Sequence, residues 1–354
     1  MGSCFLKPVV IYFSTALNFS QSWHLKMQTK VSVPKDSYLE ILAFTTYAYL
    51  TNKITAYSGL IGGVRTLGQY IENFIYGKIA EVAFQRFLRD RLGLEVLTDL
   101  DLADFIVGPY ISNLVALRKG DEYEALRLWI EVKEVRRDQR WLLVPASAVR
   151  SRPYDVYVSV WVGLPGAHIA WLTKHVPEVM NKMSSEWRDQ MKVIEESIEN
   201  IPCEVVGFVT WNDVALVIRA GEGDHRAREE LDRRFGHRSW YYFSGRESLF
   251  DPDDPSWKGS KVRENIGFSL KRLREASDWS RLRELILKNE RLVGKVETRR
   301  AGGFPKSCGR VRPHEDYRDF AFRCIEIQLE NIKRRYGTIL RKESWFAQPL
   351  TPSL

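Results

Sequence analysis

The sequence predicts an α/β fold, a central mixed sheet flanked by helices, and three observations carry that expectation. An uninterrupted helical pattern runs over about residues 66–92 and stops at Gly93. Beyond it, short apolar runs of strand length recur near 95–98, 104–108, 128–135 and 154–163, separated by turn residues. Helical segments then return, and helices and strands mixed in this way build layered α/β cores.

The elements follow in order. Asp36 or Ser37 N-caps a helix expected over 36–58, broken by Gly59, Gly62 and Gly63. The helix at 66–92 is amphipathic and carries Glu81. Lys119-Gly120-Asp121-Glu122 marks an exposed turn between the runs at 104–108 and 128–135. In Leu128-Trp129-Ile130-Glu131-Val132-Lys133-Glu134-Val135 the alternation of strand side chains puts Glu131 and Lys133 on one face and Ile130 and Val132 on the other. Two charges on one face of an otherwise apolar strand need a use or a partner. A strand at 154–163 ends at Gly163-Leu164-Pro165-Gly166, and Val176 to Asn200 reads as a polar helical segment. Residues 204–211 and 214–218 read as a hairpin turning at Asn212-Asp213. Past Gly221 the texture turns basic and mainly helical. Leu270, Leu273, Trp279, Leu282, Leu285 and Ile286 keep helical spacing, and a last helix runs from His314 to Tyr336, stopped by Gly337.

Charge divides the chain. Residues 1–225 hold 24 Lys and Arg against 26 Asp and Glu, whereas 226–354 hold 29 against 19, so the basic excess lies in the last third. Such asymmetry is the footprint of a polyanion-binding region, with a solvated helical surface as the bland alternative. The four cysteines, Cys4, Cys203, Cys308 and Cys324, form no C-x-x-C pair, which argues against zinc ribbons and iron–sulfur clusters. Reduced thiols in a cytoplasmic protein are expected. The only N-terminal apolar run, Val9–Phe13, is too short to span a bilayer, so no membrane partner is expected, and Met27 is an alternative start that leaves 1–26 dispensable. No G-x-x-x-x-G-K-[ST] is present, which argues against a nucleotide cofactor.

Two neighbouring carboxylates beside a lysine suit phosphodiester chemistry. Carboxylate oxygens are hard ligands for Mg²⁺, and a lysine two residues along the strand is placed to hold a water or a developing negative charge. The arrangement Glu81 on a helix in Gly77-Lys78-Ile79-Ala80-Glu81-Val82-Ala83-Phe84, then Asp104, then Glu131-x-Lys133, resembles the PD-(D/E)xK nuclease superfamily, over roughly residues 70 to 220. The resemblance implies a restriction-endonuclease-like core. It also implies catalytic roles for Glu81, Asp104, Glu131 and Lys133, with Asp104 and Glu131 holding Mg²⁺. Asp104 lacks the preceding Pro common in that family, so Asp99 and Asp101 are rivals for its role; Asp104 is preferred because the alternating apolar run begins directly after it. E-x-K alone is weak, and on most strands it is a cross-strand ion pair.

The expected organisation is a helical N-terminal segment (1–64), a nuclease core (65–222) and a basic C-terminal region (223–354) for DNA binding, dimerisation or both. Arg136, Arg137 and Arg140, just after the acidic strand, are expected to contact DNA phosphates, though a surface ion-pair cluster fits them equally. A type II restriction enzyme acting on double-stranded DNA as a homodimer is the leading expectation. A repair or recombination nuclease of the same superfamily, or a non-catalytic DNA-binding protein, are the alternatives. Gln139 is followed at the relevant spacing by Leu143, so the Q-x-x-x-Y motif of RecB-like exonucleases is missing.

Overall fold

The computed structural model describes residues 28–50, 67–101, 112–136, 138–151, 153–175, 177, 181, 185–243, 265–294 and 316–336. Asp104 and Arg137 lie outside them, as do Cys4, Cys308 and the strand expected at 104–108. The chain is mixed α/β, with both parallel and antiparallel strand pairs. Among the described residues no helix is long and apolar enough to cross a membrane.

Strand β1 (Lys30–Pro34) leads into α1 (Lys35–Leu50), and α2 (Leu67–Leu92) follows. Helix α2 ends where the sequence says: Gly93 takes φ +65°, and the Leu94 N–H reaches back to the Leu88 carbonyl at 3.0 Å, a left-handed glycine stop that satisfies a terminal carbonyl. From Ile75 to Phe84 this helix is buried nearly all round, so it runs inside the molecule rather than over its surface.

A three-stranded antiparallel sheet follows, of β2 (Val96–Thr98), β3 (Leu114–Lys119) and β4 (Glu122–Ala125). The expected turn is there, a two-residue hairpin with Gly120 at φ +61°, but it joins β3 to β4; the sequence reading had not recognised these strands. The main sheet has the order β1-β8-β7-β5, built from β5 (Ile130–Val135), β7 (Val156–Val162) and β8 (Asn200–Thr210). Strand β5 is its edge and runs parallel to β7, so the chain must cross over between them. The crossover contains β6 (Trp141–Pro145) and α3 (Ala146–Ser151). Ile130 and Val132 face the core that also holds Ile75, Ile79 and Phe84 of α2, whereas Trp129 and Val135 belong to a second core on the opposite side.

Helix α4 (Ser185–Glu199) precedes β8, and α5 (Trp211–Gly221) follows it directly. The hairpin expected at 204–218 is therefore corrected: its second arm is helical. Thr210 is the N-cap, and the Asp213 carboxylate accepts from both the Thr210 N–H and its hydroxyl, at 2.8 Å each. Val214, Val217 and Ala220 then fall on one buried helical face.

The remaining elements are α6 (His225–Phe235), β9 (Trp240–Phe243), β10 (Asn265–Ser269), α7 (Leu270–Ala276), α8 (Trp279–Lys288) and α9 (Tyr317–Tyr336). The helical spacing over 270–286 is divided between two helices, because Asp278 caps the second by accepting from the Ser280 and Arg281 N–H groups. The basic C-terminal third shares a sheet with the residues before it, since β10 pairs with β6 on one side and β9 on the other. Helix α8 seats Trp279 on Phe87 of α2, ring centroids 4.8 Å apart. Cys203 and Cys324 are both buried.

A buried polar hub ties α9 to the start of β5. The Asp155 carboxylate accepts from the backbone N–H groups of Trp129 (2.6 Å), Leu292 (2.7 Å) and Val293 (2.8 Å), and is paired with the Arg318 guanidinium. Arg318 also donates to the Arg127 carbonyl at 3.0 Å and lies 4.5 Å from the centre of the Trp129 ring. One carboxylate thus gathers three chain segments at the residue that leads into Glu131.

His168 is fully buried between α1 and α2, its Nδ1 at 2.9 Å from the Tyr38 hydroxyl and its ring edge-on to Tyr38 and Tyr76. Burial lowers its pKa from the ordinary 6.5 to about 4. A histidine that must stay neutral when folded contributes stability above its unfolded pKa and loses it as pH falls through the folded one. Between pH 7 and pH 4 the protein is expected to lose about 3 kcal/mol through this residue. Urea unfolding of the wild type and His168→Gln across that window checks it: the wild-type curve should fall more steeply, and parallel curves would contradict the assignment.

Candidate active site

The site is assembled at the edge of β5. Glu131 and Lys133 project from the same face of the strand, and the Lys133 ammonium donates to Glu131 Oε1 at 2.5 Å. Glu131 is mostly buried and Lys133 half-exposed, so the pair lies at a surface rather than inside the sheet. The Glu131 carboxylate beside it holds Lys133 above the ordinary lysine value, against the opposing effect of burial.

Glu81 reaches the same place from α2. It is 5 % exposed, so a solvent-facing helix position is ruled out for it. The link is Asn113, just ahead of β3. Its amide Nδ2 donates to Glu81 Oε1 at 2.8 Å, and its Oδ1 accepts from the N–H of Val132, the residue between Glu131 and Lys133, at 2.7 Å. The Asn113 N–H donates to the Ile130 carbonyl at 3.0 Å, and Ser112 exchanges hydrogen bonds with both polar groups of the Ile130 backbone. An edge strand offers unpaired backbone groups; here Ser112 and Asn113 occupy them, and the helix carboxylate is fixed against the strand.

The other oxygen of Glu81 accepts from Lys78 at 2.8 Å, and the same ammonium donates to both oxygens of Asp99 at 2.7 Å. Desolvation pushes the Glu81 pKa up to about 8; the nearby Asp99 and Glu131 carboxylates push the same way and Lys78 opposes them. Of the two rivals to Asp104, Asp99 therefore belongs to this cluster. Asp101 does not: its Oδ2 accepts from the Thr98 N–H and hydroxyl and from Gln85, which holds the turn after β2 together.

The structure thus pairs Glu131 with Lys133 and ties Glu81, through Asn113, to the backbone between them. Sequence reading missed Lys78 and Asn113. Lys78 had a signal, since it stands three residues before Glu81 on one helix face; Asn113 had none, because its contacts are all made across the chain.

Arg136 and Arg140 are both exposed just past the strand. The Arg136 guanidinium lies 5.4 Å from the centre of the Tyr76 ring, and its N–H donates to Gln139 Oε1 at 2.8 Å.

The donors at the site are oxygens, as a hard divalent cation requires. Among the described residues no three His, Cys, Asp or Glu side chains stand ready as a closed cage. Mg²⁺ needs no such cage, because it keeps several waters and takes one or two carboxylates together with substrate phosphate. Glu131, mostly buried but still partly exposed, fits that part. No family model matches the chain, and neither a curated protein nor a solved structure is found to be similar to it.

Proposed function

We propose that the chain is a Mg²⁺-dependent endonuclease that hydrolyses phosphodiester bonds of double-stranded DNA, cutting both strands at a specific sequence in the manner of type II restriction enzymes. The observation that carries this reading is Asn113, which ties the helix carboxylate Glu81 to the backbone between Glu131 and Lys133. An ion pair along one strand needs no second carboxylate tied to the backbone between its members by a dedicated amide. The parallel pairing of β5 with β7 after a crossover supports the restriction-endonuclease-like arrangement of the core.

In this reading Glu131 holds the cation, with a second acid from earlier in the chain, for which Asp104 is the preferred residue. Mg²⁺ bound there supplies Lewis-acid polarisation of the phosphate and a more acidic water. Lys133 sits beside Glu131 with its ammonium at a surface. Its charge is placed to orient the attacking water and to stabilise the negative charge that grows on the phosphate oxygens. Arg136 and Arg140 contribute phosphate contacts that fix the duplex without reading its sequence. Cutting both strands calls for two such centres, hence a homodimer with one per protomer.

Incubation with long natural DNA, with Mg²⁺ and with EDTA, tests the reading on a gel. Discrete fragments that need Mg²⁺ are expected. A Mg²⁺-dependent smear would favour a nonspecific or repair nuclease of the same chemistry. Intact but retarded DNA would favour a binding protein in which Glu131 and Lys133 form a structural pair.

A further inference from the structure

We propose that Lys78 is an internal cation standing where a second metal ion would otherwise sit, so that Glu81 positions the site and binds no metal. The inference rests on the nuclease reading for its catalytic meaning, but the charge arrangement behind it does not.

Both oxygens of Glu81 are committed: Oε1 to Asn113 at 2.8 Å and Oε2 to Lys78 at 2.8 Å. Lys78 is 5 % exposed, and its ammonium spans Glu81 and both oxygens of Asp99 while lying 5.5 Å from the centre of the Phe74 ring. An ammonium has three donors, and here they meet two carboxylates from different elements, one on α2 and one in the turn after β2. That is the work of a bridging divalent ion, done by a side chain of the helix itself. For a metal to reach Glu81, this ammonium must leave. Its stem is packed in the core, and expelling or stranding a buried charge is among the costlier events in a protein interior. Glu131 differs, because its partner Lys133 is half-exposed and can swing toward solvent or substrate. The geometry therefore divides the carboxylates by task. Glu131 is open to an external cation, whereas Glu81 and Asp99 share one ammonium supplied from within.

Mn²⁺ counted by electron paramagnetic resonance on the DNA-free protein tests this without reading activity. One bound Mn²⁺ per chain is expected for the wild type, and the same for Glu81→Gln. Lys78→Met, shown to be folded by circular dichroism, should gain one Mn²⁺, and adding Asp99→Asn should remove it again. A folded Lys78→Met with an unchanged count would overturn the proposal. So would the loss of a Mn²⁺ in Glu81→Gln, which decides the matter if Lys78→Met fails to fold. If the wild type binds none and Lys78→Met binds one, the internal cation stands, and Mg²⁺-dependent DNA cleavage decides the nuclease reading separately, because the metal there is expected to share substrate phosphate.

Discussion

Lys133→Ala and Glu131→Ala are each expected to lower Mg²⁺-dependent DNA cleavage by at least about 10²–10³-fold, the scale on which loss of one preorganised charge slows an enzyme, with the fold intact. The fold should survive because the pair lies at an edge strand with Lys133 partly exposed, while the strand's packing comes from the buried Ile130, Val132 and Val135. Lys133→Arg tests the role more finely: it keeps the charge but spreads it over a planar fork. Restoration of less than a tenth of the activity would point to a positioned ammonium, and full restoration to charge alone. Cleavage rates on one DNA substrate, beside circular dichroism spectra of each variant, check the prediction. Undiminished cutting by both alanine variants would remove Glu131 and Lys133 from the chemistry.

The second large effect concerns stability. Asp155→Ala or Arg318→Ala should each cost about 3–5 kcal/mol, because removing one partner strands the other as a buried, uncompensated charge. Asp155→Ala should sit at the upper end. Its loss also frees the N–H groups of Trp129, Leu292 and Val293, and each unsatisfied buried donor adds its own desolvation cost. The double variant should cost clearly less than the sum of the two, since neither charge is then left alone. Melting temperatures for the four proteins, with a drop on the order of 5 °C for each single variant, provide the measurement. Additive losses would mean that the two side chains act independently. The hub also joins α9 to Trp129, the residue just before β5, so the basic C-terminal third is bound into the framework beneath the site whatever else it contacts.

Much of this was legible because local chemistry and tertiary structure agreed. Helix α2 ends within a residue of its expected place, since Gly93 both lacks a side chain and takes the left-handed conformation that closes a helix. The alternation of β5 put Glu131 and Lys133 on one face, as found. The hairpin over 204–218 failed for an instructive reason. Val214-Ala215-Leu216-Val217-Ile218 has the β-branched richness of a strand, but the reciprocal cap formed by Thr210 and Asp213 starts a helix there, and helical spacing suits burial of the same residues. Composition lost to capping. Strand β3 was not among the expected strands, although Leu114-Val115-Ala116-Leu117 is an apolar run of strand length. Asn113 acts through the Val132 backbone and the Glu81 side chain, far apart in sequence, and no spacing rule connects those. Lys78 was overlooked for a different reason: a helix lysine usually extends its ammonium to water, and here it is turned inward by two carboxylates.

Supercoiled plasmid DNA incubated with the wild-type protein and with Glu131→Ala, in Mg²⁺ and in EDTA, tests the central claim most directly. Conversion to linear or nicked forms by the wild type in Mg²⁺ alone, with both Glu131→Ala and the EDTA reactions leaving the plasmid supercoiled, is the predicted result. Cleavage that persists in EDTA or in Glu131→Ala would contradict it, as would long natural DNA left intact under all four conditions.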